Sequence, residues 1–314
     1  MNDRHAKIVI TGAAGLVGQN LIVELEKQGY TQLVAIDKHG YNLDILRKLH
    51  PDVSAIHADL ADAGDWIDAF EGAACCVQLH AQITGKHAEL FVRNNVQATE
   101  RVLEAIRHHA VPYLVHISSS VVNSVADDDY TQTKRDQEAI VVLSGIRHSI
   151  MRPTLMFGWF DPKHLGWLSR FMAKTPVFPI PGDGRYTRQP LYERDFCRCI
   201  VRCIASEPNN VIYDIVGETR IDYIDIIRTI KRVKGLHTVI MRIPYGLFGF
   251  LLKIYALFSR APPFTADQLK ALSAGDEFHG VDTRAVFGVT QTPFEDAIRE
   301  SYCNPQYSKI VLKR

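Results

Sequence analysis

The chain has 314 residues, 46% hydrophobic and 23% charged, with a net charge of +1. That length buries the core of one large domain or two modest ones, and near-neutrality provides no field for nucleic acid or an acidic membrane surface. Six cysteines in a chain this long make no disulfide framework, and Cys197, Cys199 and Cys203 lack zinc-site spacing, so reduced core thiols, no metal and a cytoplasmic protein are expected.

The first apolar run, Lys7–Thr11, passes straight into a glycine turn and reads as a strand, not a signal peptide. Leu16–Gln28 has helical periodicity and closes at Gly29. Strands are predicted at Leu33–Ile36, Ser54–His57 and Cys75–Leu79, then a helix over Asn95–His108 that ends near Pro112. Tyr113–Ser118 gives a fifth strand, Tyr130–Leu143 a helix and Ser149–Arg152 a sixth strand. This alternation is the pattern of a parallel sheet built from βαβ units.

After Arg152 prolines crowd the sequence from Pro153 to Pro190, the regular alternation stops, and a second part is placed from residue 159. Val211–Val216 is expected to return to the main sheet. Tyr245–Phe258, interrupted by Lys253, is shorter than the ~20 residues that span a bilayer, so a core or lid helix is expected and no transmembrane segment.

Gly12, Gly15 and Gly18 stand in T-G-A-A-G-L-V-G between a predicted strand and a predicted helix. The first permits a tight turn, the second lets backbone approach a pyrophosphate, and the third lets the helix pack closely on the sheet. The helix N-terminus offers unpaired N–H groups and the positive end of its dipole. Asp37 ends the second strand at the distance where an acid binds ribose hydroxyls and repels a 2′-phosphate, which points to NAD rather than NADP, although Lys38 and His39 soften that preference. Asp59 suits either the adenine or a helix N-cap.

Further motifs follow in order: Asp59-Leu60; Leu79-His80-Ala81-Gln82; Asn95-Val96-Gln97-Ala98-Thr99; Ser118-Ser119; Tyr130-x-x-x-Lys134 with Glu138; Arg152-Pro153; and Gly182-Asp183-Gly184 with Arg188 and Asp195. Together with the glycine spacing, the whole chain resembles the NAD-dependent epimerase/dehydratase family, the extended short-chain dehydrogenases. The resemblance implies an α/β fold: a Rossmann-type doubly wound parallel sheet over 1–158 that binds NAD, and a smaller C-terminal α/β substrate-binding domain over 159–314. It implies coenzyme contacts from Gly12, Gly15, Leu16, Val17, Gly18, Asp37, Asp59, Leu60, Leu79, Ala81, Tyr130 and Lys134. Contacts to a nucleoside-diphosphate sugar would come from Gln82, Ser119, Ser120, Tyr130, Arg185 and Arg188, and a homodimer through the Asn95 and Tyr130 helices resembles family practice.

The chemistry of the catalytic set follows from its spacing. Tyr130 and Lys134 share one helix face, so the ammonium is expected to lower a phenol pKa of ~10 while the phenol exchanges the hydroxyl proton of a substrate. Ser119, with Ser120 in reserve, would hydrogen-bond the same oxygen. Arg188 is a forked donor for a diphosphate, with Arg185 and Tyr186 as helpers or solvated loop residues. Asp195 is expected to cap or orient the helix after it.

The chain also departs from the family. Val122-Asn123-Ser124 replaces V-Y-G, only Ser120 to Asp129 separates serine from tyrosine, and His80, read as structural, replaces a small residue. Ser120 and Val121 stand where dehydratases carry an Asp-Glu pair, so the acid and base of a 4,6-elimination are missing. A C4 epimerase working through a 4-keto sugar is therefore the leading expectation. The alternatives are a 4-ketoreductase, a dehydrogenase of another bulky alcohol such as a sterol, and a non-catalytic NAD-binding subunit.

Overall fold

The computed structural model describes residues 3–125, 127–250 and 278–313. Of the apolar segment 245–258, only 245–250 fall within them.

Seven parallel strands form the central sheet: β1 (Lys7–Thr11), β2 (Leu33–Asp37), β3 (Ser54–His57), β4 (Ala73–Gln78), β5 (Leu114–Ile117), β6 (His148–Pro153) and β11 (Val211–Ile215). Their order is β11-β6-β5-β4-β1-β2-β3. The sheet is covered on both faces, and the strand sequences say why. Ile8 and Ile10 of β1 enter one apolar cluster while Val9 enters the other, and Cys75 and Cys76 of β4 divide the same way. Helices α1 (Leu16–Lys27) and α7 (Glu193–Ser206) supply the first face. The second is covered by α4 (Ala98–His108) and α5 (Asp129–Leu143). The strand Val211–Ile215 does return to the sheet, pairing with β6 from Val211↔Ser149 to Ile215↔Pro153.

Several boundaries differ from the sequence reading. α2 (Gly40–Leu49), absent from it, follows β2 and is capped by the His39 side chain accepting from Asn42 N. The helix read from Asn95 begins earlier, as α3 (Ala88–Phe91), and passes through a π-helical stretch, Val92–Gln97, before α4. The extra residue of a π turn rotates side chains off the helical period, so periodicity alone hides the first turns. Asp128 caps α5, accepting from Thr131 N at 2.8 Å.

A third apolar cluster lies beyond the sheet. It joins α6 (His164–Lys174), β8 (Val177–Pro181), α8 (Tyr223–Val233) and the C-terminal helix Phe294–Cys303 around Met172, Phe178, Ile227 and Ile298. Short strand pairs complete this part: β7 (Met156–Phe157) with β10 (Leu191–Tyr192), β9 (Thr187–Arg188) with β12 (Ile221–Asp222), and β8 with β13 (Val239–Ile243). All six cysteines are free thiols and five are buried, as ordinary core. Among the described residues no cluster of metal ligands occurs, and no helix is long and apolar enough to cross a membrane.

Candidate active site

The strand order reverses between β1 and β4, and the glycine turn sits at that switch point. Gly12 has φ +69°, and a Cβ there would lie 2.6 Å from the backbone N of His80, where the chain leaves β4. Both a positive φ and this close approach therefore demand glycine. Gly15 caps α1 with no side chain over the helix end, and its own Cβ would meet only Gly12 O at 3.2 Å. The first-turn N–H groups of Leu16, Val17 and Gly18 are thus presented by backbone alone, which suits a pyrophosphate. The third glycine is demanded by a close approach as well: a Cβ at Gly18 would lie 2.4 Å from Ala13 O in the turn that leaves β1.

Asp37 closes β2 and grips the same turn: Oδ2 accepts from Ala14 N at 2.9 Å and Oδ1 from His39 N at 2.8 Å. Burial raises this carboxyl above its ordinary range against the pull of those backbone bonds. Asp59 is committed to a network. It accepts from Arg93 at 2.8 Å and from Ala61 N at 3.1 Å, with Lys38 at 3.5 Å. Burial alone would raise its carboxyl, but Arg93, Ala61 and Lys38 together hold it below the usual value. Lys38 also donates to Asn94 at 2.5 Å. Leu60 is buried beneath this network, and a cavity of about 510 Å³ lined by His57, Asp59, Asp62, Asp65 and Trp66 lies beside the end of β3.

The catalytic candidates gather at the ends of β4 and β5. Ser119 caps a 3₁₀ turn, Ser120–Asn123, its hydroxyl accepting from Val121 N at 3.4 Å. The same hydroxyl acts on the Tyr130 phenol, opposing the rise that burial imposes on it. Ser120 is buried beneath the turn. Lys134 is 1% exposed and donates to Ile117 O at 3.0 Å. The expected Lys134 effect on Tyr130 is not what the geometry gives. Burial raises the phenol, the Ser119 bond opposes that rise, and Asp128 adds to it. Burial also lowers Lys134 to about 7, against the opposing charge of Glu138. A buried ammonium that is itself half neutral near pH 7 has little charge to lend.

His80 is the structural histidine expected. Its Nδ1 lies 2.9 Å from Thr11 Oγ1, and Nε2 is 3.5 Å from both Gln78 Nε2 and Thr99 Oγ1. Burial, with Lys134 and Lys38 nearby, pushes it down to about 3, so the ring is neutral.

Other candidates are placed less centrally. Leu79 is half-buried, Ala81 is exposed, and Gln82 spends its amide on Thr84 O and Asn94 Nδ2. Arg185 is exposed in the Gly182–Gly184 turn, whereas Arg188 on β9 is 8% exposed and acts on the buried Tyr223 phenol. Asp195 does not cap α7. It accepts from Thr292 N at 2.7 Å and Thr292 Oγ1 at 2.9 Å, tying the C-terminal segment to that helix.

Two residues of the site carried no separate signal in the sequence. Asn95, fully buried in the π stretch, accepts from Gln82 N at 2.6 Å and donates to Thr133 at 2.9 Å, stapling the β4 loop to α5. In the sequence Asn95 stood only as the first residue of the Asn95–Thr99 motif, with no role of its own. Arg135, next to Lys134, binds the turn after Ser119.

The family model described as the NAD dependent epimerase/dehydratase family matches residues 8–215. An uncharacterised UDP-glucose epimerase of Bacillus subtilis is 30% identical over 263 residues, 73% of this chain and 82% of that protein. A ceramide reductase of Caulobacter vibrioides is 22% identical over 245 residues, 77% of this chain and 75% of its own. The UDP-glucuronic acid 4-epimerase of Bacillus cereus, solved in complex with NAD, superposes with a TM-score of 0.72 at 21% identity, over 95% of this chain and 97% of its own.

Proposed function

Because the chain belongs to the NAD-dependent epimerase/dehydratase family, whose members are enzymes of the extended short-chain dehydrogenase type, we propose that it epimerises a nucleoside-diphosphate sugar at C4. The observation that carries this reading is the buried Lys134, one helical turn after Tyr130, donating to Ile117 O at 3.0 Å, two residues before Ser119, with Ser120 and Val121 in the positions that would have to supply elimination chemistry. NAD, when bound, supplies the acceptor and later the donor of one hydride. Tyr130, in its phenolate form, takes the C4 hydroxyl proton and returns it after the 4-keto sugar has turned its other face. Ser119 holds the oxygen, and Lys134 holds the nicotinamide ribose. The turn Gly12–Gly18 and Asp37 hold the pyrophosphate and adenosine ribose.

In this reading residues 1–158 hold the coenzyme and 159–314 mainly the substrate, with Arg188 meeting the diphosphate. Leu79, Ala81 and Gln82 line the nicotinamide side, while Leu60 and Asp59 support the adenine. The protein works in the cytoplasm as a homodimer through α4 and α5, whose outer faces mix Glu100, Glu104 and Asp136 with Val142 and Leu143. The test is NMR and mass spectrometry of UDP-, GDP- and dTDP-sugars incubated with protein and NAD. Inverted C4 without net NADH is expected, and a net two-hydrogen change would replace the epimerase with a reductase.

A second reading, oxidoreduction of a bulky apolar alcohol, is favoured by Tyr245, Leu247 and Phe250, which are exposed together. The similarity to a ceramide reductase agrees with it. Turnover of a long-chain ketone or alcohol, with none on sugar nucleotides, would establish it.

A further inference from the structure

The turn that follows Ser119 is gripped from three elements at once. From α5, Arg135 donates Nε to Val122 O at 3.1 Å and Nη2 to Ser124 O at 2.7 Å. From β6, Arg152 donates to Asn123 Oδ1 at 3.2 Å while forking onto Glu138 of α5 at 2.9 and 2.5 Å. From β11, Asp214 accepts from Asn123 Nδ2 at 2.8 Å. A single 3₁₀ turn has poor internal hydrogen-bond geometry and little stability of its own, so charge-assisted bonds to its carbonyls decide where it sits.

We propose that Arg135 is a positioning residue for the Ser119–Tyr130 pair, with Asn123 as a second anchor. The proposal rests on the assignment of that pair to proton transfer. The causal chain is short. Arg135 fixes the carbonyls of Val122 and Ser124, and the fixed turn presents Val121 N–H to Ser119 Oγ at 3.4 Å. With its oxygen accepting there, the Ser119 hydroxyl is left to donate its proton to the Tyr130 oxygen. Such a donation accounts for the way Ser119 opposes the rise that burial imposes on the phenol. Arg135 stands one residue after Lys134 on α5, so the helix that carries the phenol also holds the turn that tunes it.

The test uses the full chain saturated with NAD and the variants Arg135→Met, which keeps the apolar stem, and Arg135→Lys. The Tyr130 titration is read from ultraviolet difference spectra against Tyr130→Phe, alongside thermal melting and kcat and KM. In Arg135→Met the titration should move upward by about one pH unit, since a hydrogen bond to a charged oxygen is lost. Near neutral pH kcat should fall about tenfold with KM within about twofold, and Arg135→Lys should recover part of the shift. A lower melting temperature with an unchanged titration and pH profile would overturn the proposal. If Arg135→Met fails to fold, Arg135→Lys and Asn123→Ser give the same readouts. Normal turnover in Tyr130→Phe would remove the catalytic assignment instead, whereas the substrate-free titration would still move in Arg135→Met if the clamp is real.

Discussion

The two ends of the proposed coenzyme cleft, the one for adenosine and the one for nicotinamide, handle charge in opposite ways. At the adenosine end Asp37, Lys38, Asp59 and Arg93 are held by backbone amides and by each other. At the nicotinamide end burial suppresses charge: His80 is neutral, Lys134 is pushed to about 7, and the Tyr130 phenol is raised. The first end is built to bind, because fixed charges need no reorganisation when a ligand arrives. The second keeps the His80 ring and the Tyr130 phenol uncharged and leaves Lys134 as the group poised to change state near neutral pH. Substitutions at the two ends should therefore fail differently.

The largest expected effect is at the proton-transfer end. Tyr130→Phe should lower turnover by roughly 10²–10⁴-fold while leaving NAD affinity within a factor of about three, measured by single-turnover kinetics and coenzyme titration. Comparable losses in binding and turnover would erase the contrast between the ends. Next comes Gly12→Ala, which places a methyl at φ +69° against the His80 backbone. It should cost about 2–3 kcal/mol in chemical denaturation and weaken NAD as well, because this turn joins both ends.

Asp37→Ala should reduce NAD affinity by about tenfold and narrow the preference over NADP, with kcat at saturating coenzyme little changed. An unaltered NAD-to-NADP ratio would remove Asp37 from ribose recognition. The smallest effect is expected away from the cleft, at Glu193. Its carboxyl is fully buried beside Asp161 and raised well above the usual range, by burial first and by the Asp161 charge second. A carboxyl raised on folding carries no penalty below its unfolded value of 4.5, and a growing penalty as pH rises above it. Glu193→Gln should therefore raise Tm at pH 7, by roughly 2–4 °C for each kcal/mol recovered, and lose that advantage near pH 4. Equal gains at both pH values would mean that packing, not protonation, is responsible.

Much of the glycine turn and its surroundings was legible in the sequence, because their requirements are local. A positive φ, a bare helix N-terminus and an acid at a strand end each leave a residue type at a fixed spacing, as at Gly12, Gly15 and Asp37. The unbroken apolar run Ile8-Val9-Ile10, passing straight into a glycine turn, likewise announced a strand. The electrostatics at Lys134 were not legible, since helical spacing brings Tyr130 and Lys134 onto one face but says nothing of burial. Arg135, Asn123 and Asp214 lie far apart in sequence and meet only when β6, β11 and α5 pack together. The π stretch around Asn95 was hidden because it breaks the periodicity by which helices are read. In the C-terminal part Arg188 and Asp195 had matching spacing, yet only the fold separates a buried arginine on a strand from an aspartate that ties α7 to the segment before the C-terminal helix.

The most direct test of the central claim follows one hydrogen. A nucleotide sugar deuterated at C4 is incubated with the full chain and NAD, and the product is analysed by NMR. Hydride removal and return within one site should leave deuterium on the inverted C4, with none in solvent and no free reduced coenzyme. Inversion with deuterium lost to water, or no inversion on any nucleotide sugar while NAD remains bound, would contradict it.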